Sequence, residues 1–93
     1  MSEIDYKKKV VAGSDALLRE LDGEAVILNL GDESYYGLNA TGLRMWQALT
    51  SSESIESAFQ TLKNEFEVDE TTLQSDLDQL IQKLLDGKMI TLS

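Results

Sequence analysis

Short apolar runs separated by Gly and Asp characterise the first third of the chain. Between residues 10 and 30 these runs occupy positions 10–12, 16–18 and 25–28. Short apolar runs broken by turn residues are typical of β-strands. Asp22-Gly23 favours a type I′ hairpin turn, because both central residues of that turn need a positive φ. The pattern therefore predicts one strand over residues 15–21 and a second over 24–30.

A second turn signal, at residues 31–33, leads into Ser34-Tyr35-Tyr36-Gly37-Leu38. Paired aromatic residues favour a strand, so a third strand is predicted over residues 34–38. In a meander of three strands, the first and the third are both edges. Because successive side chains of a strand point to opposite faces, one of Tyr35 and Tyr36 should pack inward and the other outward. The sequence leaves open which one does so.

After Asn39 the apolar residues follow the period of a helix. Three stripes appear in turn, and their members are Leu43, Trp46 and Leu49, then Ile55, Ala58, Phe59, Leu62 and Phe66, then Leu73, Leu77, Leu80, Ile81, Leu84 and Leu85. Asn39 or Thr41 is a candidate N-cap for the first helix, Ser54 for the second and Asp69 for the third, which ends at Gly87. We interpret all three stripes as core.

Three strands followed by three helices predict an α+β fold, in which helices cover one face of a three-stranded antiparallel sheet. A short apolar tail over residues 89–92 closes the chain. Residues 1–9 are polar and lack a period, which predicts a flexible N-terminal tail followed by a single domain over residues 10–93. The N-terminus has no basic region before an apolar one, and no apolar run approaches the roughly 18 residues of a membrane span. A cytoplasmic location is therefore expected.

Composition narrows the possible chemistry. The chain has 93 residues, of which 42% are apolar and 27% charged, as in ordinary globular domains. Histidine and cysteine are absent, which excludes Cys/His zinc sites, thiol nucleophiles, disulfides and imidazole catalysis. No cofactor or metal is expected. The net charge of −9 opposes binding to nucleic acids and to anionic membranes.

The order of motifs from residue 35 onward is specific. Residues 35–49, YYGLNATGLRMWQAL, resemble the YxLNxTGxxxWxxL signature of the PqqD-like family. Further along the chain, residues 54–58 resemble the start of that family's second helix, and residues 66–69 resemble its Y-x-V-D step. Residues 76–84 resemble its DVxxFLxxL helix, and residues 87–90 resemble its closing GLI turn. The likeness covers residues 24–92. One departure is Ser51-Ser52-Glu53, which stands where the family usually has a Gly in the linker between the first two helices.

The resemblance implies a RiPP recognition element, a winged-helix-like domain that binds the leader segment of a ribosomally made precursor peptide. It implies no catalytic residues. Such a domain presents the leader to a modifying or processing enzyme, either a leader protease, as in lasso-peptide pathways, or a radical-SAM enzyme. The YYGLN form is closer to the stand-alone lasso-type members. The leader is expected to add as a strand beside the third strand and to lie against the third helix, where it would contact Ser34, Tyr35, Tyr36, Gly37, Leu38, Leu73, Asp76, Leu77, Leu80, Lys83 and Leu84.

The physical character of these segments agrees with such a site. The predicted edge strand 34–38 carries no Lys or Pro, the residues that commonly protect an edge from pairing. On the third helix, Asp76 falls on the rim of the apolar stripe, and Lys83 lies on the same side. An acidic rim residue such as Asp76, placed beside an open edge, is able to accept hydrogen bonds from a docked peptide.

Two other classes of function are considered beside peptide recognition. A winged helix that binds DNA or serves only in assembly shares the architecture, but the candidate recognition helix over residues 69–86 carries five acidic residues against Lys83. An enzyme would depend on carboxylates alone, as in glycoside hydrolysis, and a domain of this size offers them little concave surface. Both classes are therefore less favoured than peptide recognition.

Overall fold

The computed structural model describes residues 4–93. Its elements, in chain order, are β1 (Val10–Ala12), β2 (Ala16–Leu21), β3 (Glu24–Asn29), β4 (Ser34–Leu38), α1 (Ala40–Ser51), α2 (Ile55–Glu65), α3 (Glu70–Asp86) and β5 (Ile90–Leu92). The predicted α+β arrangement of three antiparallel strands followed by three helices is confirmed. Within the described part of the chain, no helix is long and apolar enough to cross a membrane.

The antiparallel sheet has the order β2-β3-β4, so β3 is central. Asp22 and Gly23 connect β2 to β3 with φ angles of 54° and 82°, as the predicted type I′ turn requires. The second connection, between β3 and β4, ends at Glu33, whose φ is 62°. The register pairs Leu21 with Glu24 in the first hairpin and Asn29 with Ser34 in the second.

Side-chain caps begin all three helices at predicted positions. The Asn39 side chain accepts the backbone N–H of Gly42, which decides between the two candidate caps of α1. Ser54 caps α2, and Asp69 caps α3 in the same way. Gly87 follows α3, and its N–H donates to the carbonyl of Lys83.

The core lies between the inner sheet face and the three helices. Ile27 of β3 is fully buried, and it shares the core with apolar side chains from every helix. The most deeply buried large side chains on the helices are Leu49, Ile55, Leu62, Leu73, Leu77, Ile81 and Leu84. The apolar stripes were therefore correctly interpreted as core, although Phe66 and Leu85 are only partly buried.

The apolar tail predicted at residues 89–92 forms a strand. β5 pairs antiparallel with β1, with Val10 opposite Leu92 and Ala12 opposite Ile90. This pair joins the two ends of the described chain and follows directly after α3. A pairing between segments about eighty residues apart leaves no local signal in the sequence, because the turn residues that mark a hairpin are absent.

The predicted flexible tail over residues 1–9 requires a correction for residues 4–9. The Tyr6 hydroxyl donates to Asp78 Oδ1 at 2.6 Å, and the Tyr6 ring packs edge-on against Phe59. Ile4 also packs against the core. The prediction rested on the polar composition of this segment, which does not reveal that Ile4 and Tyr6 face the protein. Residues 1–3 lie outside the described residues.

Asn29 is a buried polar residue that ties the sheet to the end of α3. Its side-chain amide donates to the Gly87 carbonyl at 3.0 Å, and its Oδ1 accepts the Gly31 N–H at 2.9 Å. Since the side chain is only 5% exposed, these hydrogen bonds satisfy polar atoms that water does not reach. The contact fixes the C-terminal end of α3 against β3.

Replacement of the single tryptophan tests the core. Trp46 is 7% exposed, so Trp46→Ala removes a large buried ring and should lower the free energy of unfolding by about 3–5 kcal/mol. Denaturant unfolding measures the change. Leu30→Ala, at a position that is 63% exposed, is the control and should change stability by less than about 0.5 kcal/mol. Equal effects of the two substitutions would contradict the burial of Trp46.

Alkaline titration tests the contact between Tyr6 and Asp78. Burial, together with the hydrogen bond to Asp78, raises the pKa of Tyr6 above its ordinary value. Because the pKa of the Tyr6 phenol is higher in the folded protein than in the unfolded chain, its contribution to stability is fully present below about pH 10. Above that pH the unfolded chain loses the proton first, so the contribution declines. The melting temperature of the parent should therefore fall more than that of Tyr6→Phe between about pH 9 and about pH 11.5. Parallel declines in the two proteins would contradict the contact.

Candidate functional site

The outer edge of β4 carries unpaired backbone groups. Among the described strands, β4 pairs only with β3. The two-residue turn between β2 and β3 makes its flanking residues a hydrogen-bonded pair, and such pairs alternate along antiparallel strands. Alternate residues of β3 therefore bond to β2 and to β4. The register then directs the backbone groups of Tyr36 and Leu38 toward β3. The N–H and C=O groups of Tyr35 and Gly37 consequently point to the free edge.

The two tyrosines of β4 lie on opposite faces of the sheet. Tyr36 is half-buried and packs against the core, whereas Tyr35 is 73% exposed on the outer face. This answers the question that strand alternation left open. Only Tyr36 is on the face that α3 shares.

A groove lies beside β4 and is bounded by the first turns of α1 and by the middle of α3. Its volume is about 210 Å³, and it is lined by Tyr36, Asn39, Thr41, Gly42, Met45, Asp76, Gln79, Leu80 and Lys83. Of the residues predicted for a peptide site, the structure thus brings Tyr36, Asp76, Leu80 and Lys83 together. The groove combines apolar and polar walls directly beside an open strand edge.

Three leucines predicted to contact a peptide belong to the core. Leu73, Leu77 and Leu84 are at most 1% exposed, so their side chains offer no surface to a ligand. Their positions on α3 face the sheet and the other helices, while Leu80, at 7% exposed, lies close enough to the rim to line the groove. Leu38, which was also predicted to contact the peptide, is buried as well, and its backbone groups are directed toward β3.

The start of α1 contributes groove residues that were not predicted. Asn39, Thr41, Gly42 and Met45 line it, and three of them lie within the LNATG segment that carried the family resemblance. Gly42 permits a close approach here: a Cβ on it would lie 3.2 Å from Leu38 Cδ2 and 3.4 Å from Asn39 Oδ1. The signature itself was therefore the signal, since it marks the turn that joins β4 to α1.

Charges and hydrogen bonds differ along the site. Asp76 and Lys83 are exposed and lie on the same side of α3, separated by about two helical turns, or roughly 10 Å along its axis. At the start of β4, the Ser34 hydroxyl and backbone N–H both donate to Asp32 and hold the pKa of that carboxyl below its ordinary value. The Ser34 side chain is therefore already engaged within its own turn.

Two other hollows do not combine residues of β4 with residues of α3. One of about 350 Å³ lies over the outer face near Arg19 and Val26, and another of about 450 Å³ follows the solvent side of α3. Residues 4–93 contain no group of three or more acidic side chains placed to hold a metal ion. The groove beside β4 is the site where open backbone groups and side chains of several elements converge.

Comparisons with known proteins agree with this architecture. A search of curated protein sequences gave no match. The structure of TbiB1 in complex with the TbiA(beta) leader peptide is similar, with 26% identity over 86% of this chain and 93% of that one, and a TM-score of 0.78. The fold of lasso peptide synthetase B1 complexed with the leader peptide is also similar, with 24% identity, coverage of 89% and 98%, and a TM-score of 0.78.

The family comparison covers the sheet edge and the groove. The model of the family described as coenzyme PQQ synthesis protein D (PqqD) matches residues 24–90. The matched segment begins with β3 and includes β4, all three helices and every residue that lines the groove. This chain belongs to the PqqD family.

Proposed function

We propose that this protein binds the leader segment of a ribosomally synthesised precursor peptide by β-strand addition and presents it to a modifying or processing enzyme. The observation that carries the proposal is the free edge of β4 beside the groove against α3. Support also comes from two structures of similar fold, each of which shows the protein in complex with a leader peptide.

The backbone of β4 supplies the sequence-independent part of recognition. An added strand would pair with the free N–H and C=O groups of Tyr35 and Gly37, and it needs only to be extended. Neither Lys nor Pro occurs within β4, so no residue of the strand opposes such pairing. Every second side chain of the added strand would then point toward α3.

The groove supplies the selective part of recognition. Tyr36, Met45 and Leu80 give it an apolar lining, which suits an apolar side chain of the leader. Asp76 and Lys83 provide opposite charges on the α3 side, where each can make charge-assisted hydrogen bonds to the peptide. The leader in this proposal does not contact the buried side of α3, which is formed by Leu73, Leu77 and Leu84.

In this proposal the protein is a binding partner rather than a catalyst. It has no histidine or cysteine, and its net charge of −9 favours a cationic leader over nucleic acid. A lasso-type leader protease or a radical-SAM enzyme would act on the bound precursor, and the cytoplasm is the compartment proposed for this step. DNA binding is not favoured, because α3 carries four acidic residues and its single basic residue is Lys83.

A titration with a labelled peptide tests the proposal. The leader probe is a fluorescein-labelled synthetic peptide with the leader sequence of the precursor gene that neighbours the gene for this chain, and the TbiA(beta) leader serves as a second peptide. Fluorescence anisotropy should show saturable binding of the leader probe and none of labelled duplex DNA. Binding of the duplex without binding of either peptide would contradict the proposal.

Neutralisation of Asp76 tests the groove. Asp76→Asn removes a charged hydrogen-bond acceptor and should speed dissociation of the leader probe by an amount worth about 1–2 kcal/mol, with the melting temperature unchanged. Stopped-flow dissociation measures the rate. The matched control is Glu53→Gln, which makes the same change in net charge in the exposed α1–α2 connection and should leave dissociation unchanged. Asp78 is unsuitable as a control because it accepts the Tyr6 hydroxyl. Equal effects from Asp76→Asn and Glu53→Gln would show that only net charge matters.

The two tyrosines should separate stability from binding. Tyr36→Ala removes a ring that packs on the core and lines the groove, so both stability and affinity for the leader probe should fall. Tyr35→Ala removes a ring that is 73% exposed, so it should leave the melting temperature nearly unchanged. Thermal unfolding and anisotropy on both variants check this difference. Wild-type affinity in Tyr36→Ala would remove that side chain from the site.

A further inference from the structure

The N-terminal segment 4–9 contacts α2 and α3 and lies outside the residues 24–90 that the family model matches. Its backbone caps α2: the Tyr6 carbonyl accepts the Glu56 N–H at 2.9 Å, and the Lys8 carbonyl accepts the Ile55 N–H at 2.8 Å. The first N–H groups of a helix have no partner within the helix, so these contacts satisfy donors that would otherwise need water. The segment is therefore built into the packing of the helices.

Side chains of the segment extend these contacts to other helices. The Lys9 ammonium donates to the Ser52 carbonyl, just after α1, at 2.8 Å. Tyr6 reaches α3, where its hydroxyl donates to Asp78 at 2.6 Å, and its ring centroid lies 6.1 Å from that of Phe59. Tyr6 thus joins the N-terminal segment, α2 and α3 at one point.

Asp78 and the groove residues flank opposite sides of the buried stripe of α3. At about 100° per residue, Asp78 lies about 200° around the helix from Asp76, and the core-facing Leu77 falls between them. A bond at Asp78 therefore resists rolling of α3 about its long axis. Such rolling would move Asp76 and Leu80 relative to β4.

We propose that Tyr6 is a positioning residue for the groove: through Asp78 it fixes the rotation of α3, and so the distance between the α3 side chains and the β4 edge. This role rests on the proposed leader binding. Tyr6 does not touch the groove, because none of the lining residues belongs to the N-terminal segment. Its effect passes through α3 alone.

The proposal has a reciprocal consequence. If the attached segment favours the arrangement of α3 that binds the leader, then leader binding must favour attachment of the segment by the same factor. Leader binding should therefore slow hydrogen exchange at the Glu56 and Ile55 amides, which donate to the segment. A segment whose attachment is independent of α3 would gain no protection beyond that which leader binding gives to the core amides through global stability.

Three variants isolate the hydrogen bond. Tyr6→Phe keeps the ring against Phe59 and removes the donor, while Asp78→Asn keeps a carbonyl acceptor for Tyr6 and serves as the conservative variant. Lys9→Met is the matched control, because it removes a hydrogen bond of the same segment that does not involve α3. Thermal unfolding confirms that each variant folds.

The first readout needs no ligand. In Tyr6→Phe, backbone amide shifts measured by NMR should change at Lys83 and, across the groove, at Tyr36 as well as around Asp78, and in Lys9→Met the groove amides should stay unchanged. Shifts confined to the neighbourhood of Tyr6 and Asp78 would overturn the proposal, whatever the outcome for leader binding.

The second readout is affinity for the leader probe. Tyr6→Phe should weaken it by about three- to ten-fold, the range expected for loss of one hydrogen bond, whereas Asp78→Asn and Lys9→Met should remain near the parent. Equal affinity in the parent and Tyr6→Phe would overturn the positioning role and leave the proposed function intact. Failure of the probe to bind the parent would overturn both.

Discussion

Unpaired backbone groups at the edge of β4 are the constraint on which the rest of the site depends. An N–H or C=O group removed from water without a partner is unfavourable by roughly the value of a lost hydrogen bond, so an open edge must remain solvated or be paired. Here the edge lies beside α3, and the groove between them is shallow and open. In the proposed function, an extended peptide pairs with this edge and lies in the groove against α3.

The position of α3 determines whether that edge can be used. Its leucine stripe packs in the core, Asn29 holds its C-terminal end through the Gly87 carbonyl, and β5 continues from it into a pair with β1. These contacts come from widely separated parts of the chain. Together they keep the polar rim of α3 facing β4 without covering the edge.

The sequence predicts those parts of the fold that have local signals. Asp22-Gly23 marks the first hairpin through its positive φ angles, and Asn39, Ser54 and Asp69 mark the helix starts because a side-chain cap needs only a donor three residues away. The β1–β5 pair and the contact of Tyr6 with Asp78 join residues more than seventy positions apart, and nothing nearby in the sequence indicates them.

The site was predicted only in part, because some of its geometry also depends on contacts between distant parts of the chain. Helical spacing correctly placed Asp76 and Lys83 on one side of α3, but it did not separate the rim residue Leu80 from the fully buried Leu77 and Leu84. That distinction depends on how closely the sheet and α1 approach α3. The orientation of Tyr36 likewise required the register of β4, which alternation alone does not supply.

Hydrogen exchange along β4 tests the central claim most directly. The register leaves the Tyr35 and Gly37 amides free and pairs the Tyr36 and Leu38 amides with β3. Saturation with the leader probe should slow exchange at Tyr35 and Gly37 by at least about ten-fold, because a new strand protects them, and should change exchange at Tyr36 and Leu38 much less. Unchanged exchange at Tyr35 and Gly37 in the saturated complex would show that the peptide does not add to this edge.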